Sequence, residues 1–234
     1  MNNKKWKRFD QLTLKCFNTM IGMEKDQECW NHAYELFKEL VDDMKHEQPN
    51  GKLELYKVDD ITDFEYEVQD WVDDYLDKLD MNHEYEQLLE VCDALLEMFC
   101  WEDDSPSDIR FRKVSVLGAL KRNDEAATFC RQWLDDEPDN ILAVTASVYA
   151  GLARHDMKTA EILIKQHISR DTECTEENAI LFTAASTYYQ VAGKKKEKKR
   201  IDEAIKAYEK ILKDFWLGGD DEDESMWEDD ELPF

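Results

Sequence analysis

Apolar side chains recur at the α-helical interval along almost the whole of this chain, and little in it can interrupt a helix. Trp30, Ala33, Tyr34, Phe37, Leu40 and Val41 follow the i, i+3, i+4, i+7 spacing of one helix face. Leu88, Val91, Cys92, Leu95, Leu96 and Phe99 repeat it, as do Ile201, Ala204, Ile205, Tyr208, Ile211, Leu212 and Phe215. Seven glycines and four prolines in 234 residues leave few and short connections, so helices must carry the fold. Ser105, Pro106, Ser107 and Asp108 offer a cap, a first-turn proline and an acidic group for orphan N–H donors, and Gly193 suits a left-handed stop. The spacing predicts helices near 5–21, 26–46, 62–80, 83–100, 107–121, 123–136, 139–154, 157–169, 175–193 and 195–215. Only 52–58 hints at alternation, and with no partner strand it reads as a loop.

The chain is 42% hydrophobic, enough to bury a core, and sets 30 Lys and Arg against 55 Asp and Glu for a net charge of -25. That balance argues against direct nucleic-acid binding, because counterion release needs a basic surface. No apolar run approaches the roughly 18 to 20 residues of a membrane span, and Asp10 and Lys15 interrupt the N-terminal stretch. The expectation is a cytoplasmic protein with no membrane partner. Cys16, Cys29, Cys92, Cys100, Cys130 and Cys174 are scattered with no CxxC pair and read as reduced core residues. Cys29 and His32 make one i, i+3 pair without a second, and His83 lacks the second histidine of an HExxH face. Neither a glycine-rich phosphate loop nor a convergent acid, base and nucleophile is present, so the reading is a non-enzyme without metal or other cofactor.

The segments NDEAATFCRQWL and MKTAEILIKQHI share a register that places Ala126 and Ala160 at one position, 34 residues apart by subtraction. Ala126, Cys130, Trp133 and Pro138 give a small residue, two packing residues and a proline that ends the unit, with Leu117 upstream. On these residues the chain resembles the tetratricopeptide repeat proteins. Leu88 with Cys92 fills the same positions 38 residues before Ala126, and Ala33 with Phe37 matches near the N-terminus. Ala204 and Tyr208 repeat the small-to-aromatic step 44 residues after Ala160, which predicts a lengthened turn or helix over 194–201. The match is close over 83–215 and loose over 5–80, and the Trp and Gly of the family's first helix are missing. The resemblance implies an all-α fold, a right-handed superhelical stack of about five antiparallel helix pairs over 1–217. Such a stack curves, and its first helices line a concave groove where a protein or peptide docks.

Asp70, Asp73, Asp74, Asp77 and Asp80 fall on one helical stripe, opposite Phe64, Val68, Trp71, Val72, Tyr75 and Leu79. In the register anchored at Leu88 the acidic stripe lies on groove-lining positions and would attract a basic segment; the same pattern also suits a solvated face. The next groove positions are Asp108, Phe111, Arg112 and Ser115, then Leu142, Thr145, Tyr149 and Leu152, which would accept apolar side chains. The Lys and Asn clamp of chaperone-binding tetratricopeptide domains is not at these positions. The candidate partner contacts are therefore Asp70, Asp73, Asp74, Asp77, Arg112, Thr145, Tyr149 and Leu152.

Two opposed charge blocks complete the pattern. Lys194, Lys195, Lys196, Lys198, Lys199 and Arg200 form the strong basic cluster, whereas 220–234 carries nine acidic residues. The segment 218–234 reads as a disordered acidic tail, solubilising or acting as a docking motif through Trp227, Leu232 and Phe234. The leading expectation is an adaptor or scaffold that binds a partner carrying basic and apolar residues. The alternative is an acidic inhibitor that mimics nucleic acid and occupies a basic protein. Self-association through an uncovered end of the stack is a further expectation.

Overall fold

The computed structural model describes residues 3–48 and 50–217. Among these it contains eleven α-helices and no strand: α1 (Asn3–Met20), α2 (Glu28–Glu47), α3 (Tyr56–Ile61), α4 (Val68–Met81), α5 (Tyr85–Met98), α6 (Ser107–Ala119), α7 (Asn123–Asp136), α8 (Ile141–Ala153), α9 (Met157–His167), α10 (Ala179–Val191) and α11 (Lys195–Leu217). They form two compact units divided between Arg122 and Asn123.

Five turns share one backbone geometry. Gly22, His83, Lys121, His155 and Gly193 have φ of 75, 59, 62, 60 and 68°. After each of them the next N–H reaches back five residues, Met23 to Asn18, Glu84 to Leu79, Arg122 to Leu117, Asp156 to Gly151 and Lys194 to Tyr189, at 2.8 to 2.9 Å. This 6→1 bond closes a helix C-terminus by satisfying an orphan carbonyl. From His83 onward the turns are 38, 34 and 38 residues apart (121 − 83, 155 − 121, 193 − 155), and α5, α7, α9 and α11 each start two residues later. Leu88, Ala126 and Ala160 therefore occupy one position, five residues past the turn. In the last pair that position is Lys198 and not Ala204. The turn at Gly193 is of ordinary length, and the extra residues extend the far end of α11, which has 23 residues against 13 in α10.

The core of the N-terminal unit is aromatic. Trp71 of α4 lies 5.1 Å from Phe9 of α1, 5.8 Å from Phe37 of α2 and 5.6 Å from Tyr75 between ring centroids, and it stacks with Trp30. Trp6 stacks on Tyr66 at 4.9 Å. The segment from 52 onward is not a plain loop. Leu53 and Leu55 are buried, α3 follows, and α4 begins at Val68, six residues later than the periodicity predicts. Left-handed backbone at Asp63, Phe64 and Glu67 breaks the helix there, and Phe64 is 62% exposed rather than part of the packing stripe. Asp59, 2% exposed, explains the late start: Oδ1 accepts from the Val68 N–H at 2.7 Å and Oδ2 from the Gln69 N–H at 3.0 Å. A carboxylate from α3 thus caps the orphan donors of α4.

Glu54 performs a related task at 2% exposure. Its Oε1 accepts from the Glu102 N–H at 2.8 Å and the Cys100 thiol at 3.3 Å, while the Cys100 N–H donates to the Leu53 carbonyl. Burial raises the Glu54 carboxyl, but these donors outweigh it and leave the group below its ordinary range.

In the C-terminal unit Val144, Val148, Ala160, Ile164, Leu181, Phe182, Ala185, Tyr188 and Ile201 form a continuous buried cluster. A Cβ at Gly151 would stand 3.3 Å from the Asp156 carbonyl oxygen and 3.4 Å from the Ala160 Cβ, so two small residues let α8 and α9 approach closely. At the α10–α11 turn Glu161 accepts from Lys194 at 2.5 Å and Lys165 at 2.7 Å, and the Tyr188 hydroxyl donates to it at 3.3 Å. The Lys165 and Lys194 ammonium groups pull its carboxyl from 4.5 down to about 2. A carboxyl depressed by folding stabilises fully above its unfolded value and loses that contribution as pH falls toward 2. Thermal midpoints of the native chain and Glu161→Gln are thus expected to differ at pH 6 and to converge between pH 4.5 and about 2. A gap that persists unchanged across that range would show that the ion pairs stabilise nothing.

Candidate partner-binding faces

α4 separates its two sides cleanly. Val68, Trp71, Val72, Tyr75, Leu76 and Leu79 are buried, whereas Asp70, Asp73, Asp77 and Asp80 are exposed and Asp74 is half-buried. The α6 residues Asp108 and Arg112 come to the same carboxylates, with Arg112 Nη2 2.7 Å from Asp77 Oδ1. Asp73 retains solvent-facing surface, yet neighbouring chain desolvates its carboxyl and raises it; Asp77, Asp108 and Asp70 push it further up and Arg112 opposes them. Desolvation also raises Asp74, with Asp77 and Asp70 adding to it. Burial is the leading cause of both shifts and the carboxylates of Asp70 and Asp77 add to it, so the charged form of each group is disfavoured here.

The structure brings together five predicted contacts in this unit: Asp70, Asp73, Asp74, Asp77 and Arg112. Arg112 is not an open contact, since it already bridges Asp77. The signal for that pairing was present, because 112 − 77 is 35, close to one repeat. The α8 contacts differ. Thr145 is fully buried, and its hydroxyl donates to the Ile141 carbonyl at 2.7 Å, so it cannot line a groove. Tyr149 and Leu152 are half-buried against the C-terminal core and keep some open surface. Trp227, Leu232 and Phe234 lie outside the described residues.

The thiols have little reactivity to offer. All six cysteines are free, and burial pushes Cys92 up to about 12 and Cys130 up to about 11, which suppresses the nucleophilic thiolate. Cys29 is buried while His32 is exposed, so the i, i+3 pair does not converge. Among the described residues no group of three or more His, Cys, Asp or Glu could hold a metal ion, and no helix is long and apolar enough to cross a membrane. One surface that periodicity did not mark is a basic cleft between the loop after α9 and the start of α11.

Compared with known protein families, curated proteins and solved structures, the chain matches none of them.

Proposed function

We propose that this chain is a non-catalytic adaptor of the tetratricopeptide-like kind, whose acidic face on α4 and α6 takes a basic segment of another protein. The observation that carries the reading is the gathering of Asp70, Asp73 and Asp77 on the exposed side of α4, with Asp108 of α6 near Asp73 and Arg112 set against Asp77. A guanidinium or ammonium group entering there relieves carboxylate repulsion and binds the charged forms. The five helix-closing turns of one backbone geometry, four of them followed by a helix two residues later, support stacked helix pairs, and a right-handed stack of about five is the arrangement proposed.

The test is fluorescence anisotropy with a labelled peptide of alternating Arg and Leu. Changing Asp70, Asp73, Asp74 and Asp77 to Asn is expected to weaken binding at least about tenfold, or roughly 1.4 kcal/mol. Neutralising the exposed Asp135, Asp136, Asp139 and Glu176 in the other unit removes as many charges and is expected to change affinity little. Equal losses in both variants would sink the localised face and favour the rival idea of dispersed carboxylates imitating a polyanion.

A further inference from the structure

The C-terminal unit contains a cleft of about 790 Å³ between the loop that follows α9 and the first turns of α11. Lys165 at the end of α9, already held by Glu161 at 2.7 Å, and Arg170 of the loop line one side, and Lys196, Lys199 and Arg200 of α11 the other; Glu197 and Glu203 are the carboxylates on its wall. Five cations facing two carboxylates reverse the charge balance of a chain with 30 basic and 55 acidic residues. The Arg200 guanidinium donates to the Ser169 carbonyl at 3.0 Å and so ties the loop to the helix. The pairing of Lys199 with Glu203 is long, 3.7 Å, and Lys199 is 79% exposed, so that ion pair binds it weakly.

A second observation leads away from the cleft along the same helix. Lys199, Lys206, Lys210 and Lys213 are separated by seven, four and three residues, which at 100° per residue keeps them within one narrow stripe. Lys206, Lys210 and Lys213 are all exposed; Asp202, Glu203 and Asp214 border the stripe, and Asp202 is held by Lys198 at 2.6 Å. A basic track therefore runs from the cleft to the end of α11, where 218–234 begins.

We propose that the cleft and its lysine track are the docking site of the chain's own acidic segment, 220–231. That segment holds nine carboxylates, in two blocks on either side of Ser225, Met226 and Trp227. Its length matches the task. From Leu217 back to Lys199 is 18 residues of helix, about 27 Å. The twelve residues 218–229 reach about 40 Å when extended and roughly 20 Å as a coil, and charge repulsion favours the longer values. The first acidic block then lies over Lys213 and Lys210, while Glu228, Asp229, Asp230 and Glu231 enter the cleft. Tethering supplies an effective concentration on the order of millimolar, which a free anion rarely equals. Docking of this kind neutralises this basic patch and keeps outside polyanions, and the acidic α4 face of a second copy, away from it.

Tripolyphosphate is a suitable probe of the open cleft. In the full chain, Glu228→Gln, Asp229→Asn, Asp230→Asn and Glu231→Gln together are expected to tighten tripolyphosphate binding about tenfold, because the internal competitor is gone. Adding Lys196→Glu and Lys199→Glu is expected to abolish the gain, with circular dichroism confirming an intact helical fold. Unchanged affinity after neutralising the segment would overturn the proposal, as would a gain that survives the lysine reversals. The difference should also be independent of protein concentration from roughly 1 to 100 μM; a difference that appears only on concentration assigns the segment to a second copy and overturns docking within one chain.

Discussion

Trp71→Ala lowers the unfolding free energy of the N-terminal unit by about 3 to 5 kcal/mol, the range for deleting a large buried aromatic. The reason is position. The indole meets Phe9 from α1, Trp30 and Phe37 from α2 and Tyr75 from its own helix, all within 6.4 Å between centroids. Its removal leaves a hole bordered by rigid rings that cannot collapse into it, so the cavity contribution adds to the lost burial. Since a domain is commonly stable by only about 5 to 15 kcal/mol, this one change consumes a large part of the margin. Urea unfolding followed by near-ultraviolet circular dichroism measures it, with faster amide exchange in α2 and α4 as corroboration. A loss below about 1 kcal/mol would show that these rings do not form a cooperative core.

Asp59→Ala is expected to cost about 2 to 4 kcal/mol, more than a typical exposed cap, because two N–H donors at the start of α4 lose their acceptor together. Neither donor can simply turn to water: Val68 is fully buried and Gln69 is half-buried. Asp59→Asn keeps one acceptor oxygen but sets an amide N–H2 against the second donor, so an intermediate loss is expected. The substitution also tests the link from fold to function. Asp59 fixes the left-handed turn from Asp63 to Glu67 and hence the point at which α4 starts. If that start frays, Asp70 and Asp73 lose their fixed relation to Arg112, and affinity for a basic peptide should fall although no binding residue has changed. Full retention of stability in Asp59→Ala would remove this account of the α4 start.

The parts of the fold that obey a period were legible in the sequence. The spacing of Ala126 and Ala160 reproduces the spacing of the turns at Lys121 and His155, because a hairpin that packs on its neighbour repeats both its small residue and its stop. What escaped was set by contacts between distant positions. Phe64 continues the i, i+4 rhythm into Val68, so periodicity alone extends the helix through it; the carboxylate that ends the pattern comes from Asp59, and no glycine or proline signals the break. α3 has six residues, too few for a face to repeat. Thr145 shows a different limit. Its hydroxyl bonds to its own helix backbone, so a polar residue type sits in the core without any partner the sequence could reveal. Of the acidic face, the stripe was visible; the carboxyls raised chiefly by burial and the guanidinium of Arg112 set against Asp77 depend on how α4 and α6 are brought together.

That guanidinium changes the nature of recognition. Under the proposed reading, a cation arriving at Asp77 would share that carboxylate with Arg112, whose Nη2 already sits 2.7 Å from Oδ1. A flat, forked head group could engage Asp77 and a neighbouring carboxylate at once, whereas a lysine ammonium offers a single point of charge. The proposed face would then favour arginine-bearing over lysine-bearing ligands of equal charge.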